Sequence, residues 1–249
     1  KAKGITPFAG LLKENWSVGH FITLVHTSLL AEKGIAVDKF IADMKAGSAS
    51  YGVVDTRKLF SVLDFYRANM DKNAEEMNWD EQQASFANGK SAMMVQGLWS
   101  YGAAIGTNPA LDCGFIPFPV FNDAAMNKFY ADVDSVFGVS AQASPEKRAA
   151  ALRFIEWLST PKAVQVWTKE CKLTSSFAGA DMSALQAPFG ELMKSVGEKG
   201  AYPWAFSMYP TAAFEDGAKN GAQQYLFRKK TAAAVIGDID RIWREALNK

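Results

Sequence analysis

Two uncharged stretches that are rich in aromatic residues carry the clearest chemical signal in the sequence. Residues 91–111 include Trp99 and Tyr101, and residues 200–214 hold five more aromatic side chains. Prolines interrupt any helical periodicity in the second stretch, so its rings are expected on irregular backbone. Rings on surface loops often line ligand clefts, and their flat apolar faces suit the C–H faces of sugars. The alternative is a buried loop that is anchored by its own rings. The five side chains are Tyr202, Trp204, Phe206, Tyr209 and Phe214.

Patterns typical of catalysis or metal binding are weak. His20 and His26 are six residues apart, and at about 100° per helical residue they point about 120° apart, which does not suit a shared metal ion. The sequence has no nucleophile elbow, P-loop or dinucleotide-binding glycine motif, and no spacing singles out a catalytic pair of carboxylates. Cys113 and Cys171 are two free thiols or one bridge. We expect neither a cofactor nor a metal ion, and no pattern marks the chain as an enzyme, although its composition leaves a Ser-His-Asp triad open.

Composition excludes further classes of protein. Across 249 residues, 27 basic side chains nearly balance 26 acidic ones, which argues against a dedicated nucleic-acid binder. A chain that is 49% hydrophobic and 21% charged can bury a substantial core. Residues 91–111 are long enough to cross a bilayer, but their glycines, Pro109, Gln96 and Asn108 are wrong for a spanning helix.

The elements that must position these rings alternate between helices and strands. Apolar residues at helical spacing predict helices over 21–29 and after Asp55, and Asp80 with Gln83 imitates a capping box. Ser144 and Thr160, each followed by proline, predict two further helix starts. Thr231 opens the last helix. Its expected inner face is Val235, Ile239, Ile242 and Ala246. Strands are expected over 92–96, 114–119 and 133–140, which indicates the α/β class. The polar stretch 119–128 is the best candidate for a crossing between domains.

Four stretches in order along the chain resemble a known family. The most specific is Phe86-Ala-Asn-Gly-Lys-Ser-Ala-Met93, followed by Gly97-Leu-Trp99. The others are the N-terminal segment through Trp16, the segments from Phe115 and Gly138 to Pro161, and the helix after Thr231. Together they resemble the extracellular solute-binding proteins of sugar ABC transporters, of the maltose-binding type.

The resemblance implies a two-lobe, type II periplasmic-binding-protein-like fold. Residues 1–118 and 179–249 would form the C-terminal lobe, and 119–178 would be the returning part of an N-terminal lobe whose front is missing. The returning helices would then expose apolar surface such as Ile155 and Trp157. The implied function is binding of a carbohydrate, in particular an oligosaccharide, in an interlobe cleft that closes by a hinge motion. A non-sugar solute and glycoside chemistry remain alternatives.

The family pattern also implies site residues and partners. Glu14, Trp16 and Trp99 align with sugar contacts of the family, and Tyr202 and Phe214 align with its last C-terminal-lobe loop. Trp204 and Tyr209 are candidates on composition alone, and Asp132 and Asp134 lie where the chain re-enters the N-terminal lobe. The expected protein is a monomer that delivers its ligand to the membrane permease subunits of an ABC importer. It would be periplasmic or lipid-anchored to the outer face of the cell membrane.

Overall fold

The computed structural model describes residues 4–131, 136–183, 185 and 187–248. Two short strands and ten α-helices are found in these ranges, with irregular connections between them. The strands are β1 (Thr6–Ala9) and β2 (Ser91–Met94). The helices are α1 (Asn15–Glu32), α2 (Val37–Lys45), α3 (Thr56–Ala68), α4 (Trp79–Ala87), α5 (Trp99–Thr107), α6 (Pro145–Leu158), α7 (Pro161–Gln165), α8 (Ala187–Lys199), α9 (Asn220–Leu226) and α10 (Ala232–Leu247). The arrangement is α/β and mainly helical.

Helix α1 runs through the centre of the core. Most of its apolar residues, together with Thr23, His26 and Ser28, are buried, because α3, α9 and a π-helical turn (Ala213–Lys219) pack around it. The turn approaches α1 so closely that a Cβ at Gly19 would lie 2.9 Å from the Cα of Lys219. Glycine at this position therefore permits backbone contact between the central helix and the segment that carries Phe214.

Helix starts follow the capping chemistry that the sequence predicts at four positions. The side chains of Asp55, Ser144, Thr160 and Thr231 each accept a hydrogen bond from a backbone N–H in the first turn of their helix. These predictions are confirmed, because each side chain satisfies an N–H group that has no partner within its helix.

Two helix predictions are wrong in detail. The capping box of α4 is formed by Asn78 and Glu81, not by Asp80 and Gln83, so that helix begins two residues earlier. The inner face of α10 comprises Val235, Ile239 and Trp243, each fully buried, while Ile242 and Ala246 are only half-buried. Trp243 replaces them because its large ring fills the space beside Phe40 and Tyr209.

The sheet is a single parallel pair in the described chain. Strands β1 and β2 align Thr6 with Ser91 and Phe8 with Met93. The strand predicted over 92–96 corresponds to β2, which begins one residue earlier and ends two residues earlier. Strand β1 was not predicted. The segment 114–119 forms no strand, and neither does 136–140, the part of the third predicted strand that lies within the described residues.

A second region, residues 136–183, packs less tightly than the rest. No residue of α6 is buried, and its exposed side chains include Leu152, Phe154 and Trp157. The expectation of an apolar surface is met at Trp157, which is 42% exposed, while Ile155 is half-buried. Among the described residues, no helix is long and apolar enough to cross a membrane.

Candidate functional site

Seven aromatic rings from four separate segments meet at one end of α1. We call this group the ring cluster. It combines the first turns of α1, the first residues of α4 and α5, and the loop between Trp204 and Phe214. Its members are Trp16, His20, Trp79, Trp99, Trp204, Phe206 and Phe214.

His20 occupies the centre of the ring cluster. Its imidazole stacks on Phe206 with centroids 4.2 Å apart and planes inclined by 10°, and Phe214 lies nearly parallel at 5.8 Å. The rings of Trp99 and Trp204 meet it in edge-to-face contacts, with centroids 6.2 and 5.4 Å away. Sequence reasoning considered His20 only as a metal ligand and missed this role. Its spacing of four residues from Trp16 on one helix was the available signal.

Glu14 lies immediately before α1, and both oxygens of its carboxylate accept hydrogen bonds from the protein. Trp16 donates its indole N–H to one oxygen at 2.7 Å, and Trp79 donates its backbone N–H to the other at 2.8 Å. The two indole rings lie 5.8 Å apart. Trp79 was missed by the sequence analysis, because the spacing of 65 residues to Glu14 gives no local signal.

Trp99 is the first residue of α5 and the outermost of the predicted aromatic contacts. Its ring folds back onto Gly97, where a Cβ would overlap three ring atoms. The ring is 37% exposed and meets Trp204 edge to face at 5.9 Å. Because Gly97 has no side chain, the indole can lie against the backbone there, and part of the Trp99 side chain stays accessible from solvent.

Trp204 and Phe214 lie deeper, each 8% exposed. The ammonium of Lys219 lies 4.9 Å from the centroid of Phe214 and pairs with Glu215 at 2.7 Å. Beside the rings, Asn15 donates its amide N–H to the side-chain oxygen of Asn220 at 2.6 Å. The cluster is therefore apolar within and bordered by amide, carboxylate and ammonium groups.

Two predicted site residues, Tyr202 and Tyr209, lie away from the ring cluster. The hydroxyl of Tyr202 donates to the carbonyl of Met126 at 2.6 Å, in a segment that pairs with the chain around Tyr130. Tyr209 is buried in the core, 4.8 Å from the ring of Trp243, and burial raises its pKa well above the usual value. Asp132 and Asp134 lie outside the described residues.

Comparison with known proteins places the chain in a family. Residues 1–165, about two thirds of the chain, match the model of the bacterial extracellular solute-binding proteins. The chain belongs to that family. The matched part of this solute-binding protein contains Glu14, Trp16, His20, Trp79 and Trp99, whereas the loop that carries Trp204 and Phe214 lies beyond it. No curated protein sequence matches the chain significantly.

Solved structures confirm the periplasmic-binding-protein-like fold. The chain is similar to RafE from Streptococcus pneumoniae, with a TM-score of 0.74 and 17% identity over 99% of this chain and 62% of that one. A sugar transporter protein from Bacillus licheniformis, solved in complex with stachyose, gives a TM-score of 0.72 and 16% identity over 98% and 62% of the two chains. A chitin oligosaccharide binding protein gives 0.70 and 17% over 99% and 61%. This solute-binding protein thus spans about three fifths of the length of these structures.

Both cysteines of this solute-binding protein are free thiols. Cys113 is half-buried and Cys171 is exposed. Burial, followed by the nearby charge of Asp112, raises the pKa of the Cys113 thiol. Of the two alternatives that the sequence left open, the structure thus shows the free thiols.

Proposed function

We propose that the ring cluster forms one wall of a cleft that binds an oligosaccharide. The observation that carries the proposal is the exposed indole of Trp99, held against Gly97 and backed by buried rings. An indole fixed in this way offers a flat apolar face, on which the C–H face of a sugar ring can lie. Stacking of this kind contributes on the order of 1 kcal/mol per ring beyond the area that it buries.

Polar groups for sugar hydroxyls lie beside the rings in this proposal. Asn15, Asn220 and Asp216 form a short chain of hydrogen bonds next to the cluster, with Asn220 donating to Asp216 at 3.4 Å. Exposed amides and carboxylates can exchange these bonds for hydroxyl partners. Asp132 and Asp134 are further candidates that the family resemblance suggests.

The core draws on both ends of the chain, which supports the domain organisation proposed from the sequence, while Val120 and Phe121 join this core from just beyond the proposed boundary at 118. Buried residues of one continuous core come from residues 8–74, 120–121 and 205–243. We propose that 1–118 and 179–249 form one lobe and that 119–178 return through a second lobe. A ligand bound between two lobes would be enclosed when they close by a hinge motion.

Transport supplies the biological setting of the proposal. The family is one of bacterial extracellular proteins, and RafE has been solved in complex with raffinose. We propose that the protein is a monomer that captures its sugar outside the cytoplasm. It would be periplasmic or lipid-anchored to the outer face of the cell membrane. It would hand the sugar to the permease subunits of an ABC importer.

Isothermal titration calorimetry with raffinose, stachyose and chitin oligosaccharides tests this function. We expect one of these sugars to bind, and Trp99→Ala to weaken its binding about fivefold or more, as loss of one stacked ring implies. Trp167→Ala is the matched control, because Trp167 is 39% exposed, close to the 37% of Trp99, and lies in the second region. Its affinity should equal that of the wild type. Equal affinities for Trp99→Ala and wild type would remove Trp99 from the site.

The same preparation separates the two alternatives. If no sugar binds, a thermal-shift screen of other solutes is the next test, because a ligand that binds only the folded state raises Tm. Chromatography of the sugar after prolonged incubation tests for turnover. Unchanged sugar is expected from a binding protein, and hydrolysis that is lost when a carboxylate is substituted would indicate an enzyme.

A further inference from the structure

Glu14 occupies a helix-capping position without capping its own helix. It is the residue before α1, where a short polar side chain would normally accept an N–H from the first turn. The Glu14 side chain makes no such bond. It is half-buried and turns instead toward α4, which begins 65 residues later in the chain.

The two groups that Glu14 accepts from are both in need of a partner. The backbone N–H of Trp79 belongs to the first turn of α4 and has no acceptor within that helix. The indole N–H of Trp16 is a donor that cannot accept, so its direction depends on the acceptor in front of it. A carboxylate satisfies both at 2.7 and 2.8 Å, and its charge is favourable beside the positive end of α4.

This geometry ties the Trp16 indole and the start of α4 to one carboxylate. Trp16 is held through its ring, and Trp79 is held through its backbone, so their separation of 5.8 Å is set from a common point. Trp16 in turn meets His20 edge to face at 5.5 Å, at the centre of the ring cluster. A substitution at Glu14 would therefore alter the ring cluster through Trp16, even if Glu14 itself touches no ligand.

We propose that Glu14 is a positioning residue that fixes Trp16 and the start of α4, and that it is not itself a sugar contact. The sequence comparison suggested the opposite role, a carboxylate that binds sugar directly. The proposal rests on the proposed function for its effect on binding, while the positioning itself is a property of the protein without ligand.

The first test needs no ligand. In ¹H–¹⁵N spectra of the full chain, the indole resonance of Trp16 is the one that disappears in Trp16→Phe. We expect it to move upfield in Glu14→Gln, and we expect exchange of the Trp79 amide to become roughly tenfold faster. Glu32→Gln is the matched control at the other end of α1, where an exposed carboxylate pairs with Lys58 at 2.7 Å. In Glu32→Gln the Trp16 indole resonance should not move, and the exchange rate of the Trp79 amide should not change. Unchanged Trp16 and Trp79 signals in Glu14→Gln would overturn the proposal.

The second test is a double-mutant cycle with raffinose as the probe. We expect Glu14→Gln to weaken binding about tenfold in the wild-type chain and less than about threefold when Trp16 is already phenylalanine. Equal losses in the two backgrounds would show that Glu14 contacts the sugar directly, and the proposal would be wrong. Absence of raffinose binding to the wild type counts against raffinose as a ligand in the proposed function, while the spectra still decide the role of Glu14.

Discussion

Acidification from pH 8 to pH 5 should destabilise the protein through His26. This side chain is fully buried on α1, stacks on Tyr51 at 3.8 Å, and donates its Nε2–H to the Tyr51 carbonyl at 2.8 Å. Among the described residues, its Nδ1 has no hydrogen-bond partner. Burial lowers the pKa of His26 from 6.5 to about 4, against a smaller opposing effect of the bond to Tyr51.

The sign and size of the effect follow from these two pKa values. Between about pH 6.5 and pH 4 the unfolded chain binds a proton at this histidine and the folded chain does not, so the free energy of unfolding falls as pH falls. The slope is about 1.4 kcal/mol per pH unit. The loss attributable to His26 is then about 2 kcal/mol at pH 5 and about 3 kcal/mol at pH 4, and it levels off below the folded pKa.

Urea unfolding of the wild type and His26→Gln, measured at half-unit steps from pH 8 to pH 4, isolates this contribution. Glutamine can keep a donor for the Tyr51 carbonyl but does not titrate in this range. Other groups, including His20, affect both proteins alike, so the difference between their pH profiles reports on His26. We expect that difference to grow by about 2 kcal/mol between pH 8 and pH 5. Parallel profiles would refute the burial argument.

Two further predictions concern local packing. Gly97→Ala should displace the Trp99 ring and weaken sugar binding about as much as Trp99→Ala, as calorimetry would record. Gly106→Ala in α5, the helix that begins at Trp99, places a Cβ where nothing lies within 4 Å and should leave binding unchanged. An effect there would show that the loss is not specific to the ring. Trp243→Ala should cost about 3–5 kcal/mol in urea unfolding. Ile242→Ala should cost clearly less, since it is half-buried, and equal losses would contradict the inner face described for α10.

Local signals predicted capped helix starts better than strands, although α2, α8 and α9 were not predicted. Helix starts depend on a side chain and an N–H three residues away, as at Ser144 and Thr231, so the sequence contains the whole interaction. Strand β1 exists because it pairs with β2, which lies 85 residues further along the chain at Thr6 and Ser91. Pairing over such a distance leaves no mark in a short window of sequence, and the apolar segment 114–119 has no strand beside it in the described chain.

The sequence indicated which residue types form the candidate site, but not how deeply each side chain is buried. The aromatic stretches drew attention to Trp99, Trp204 and Phe214, which the structure brings together in the ring cluster. Tyr202 and Tyr209 come from the same stretch. Tyr202, however, bonds to Met126 beside the segment around Tyr130, and Tyr209 lies in the core. Successive aromatic residues two to five apart on irregular backbone point in directions that only the fold determines, so composition could not separate them.

Continuity between the ring cluster and the core gives the site its stiffness. Phe214 belongs to the core and Phe206 packs against it, while Trp99 reaches solvent at the opposite edge of the same set of rings. Each ring is therefore held by another before any ligand arrives, and binding need not order these side chains. Because the ordering of free side chains costs about 0.5–1.5 kcal/mol each, a pre-formed wall of this kind can bind an uncharged ligand through stacking and hydroxyl contacts. In the proposed function an uncharged sugar would gain little from the net charge of the protein, so we expect its affinity to come from this pre-formed wall.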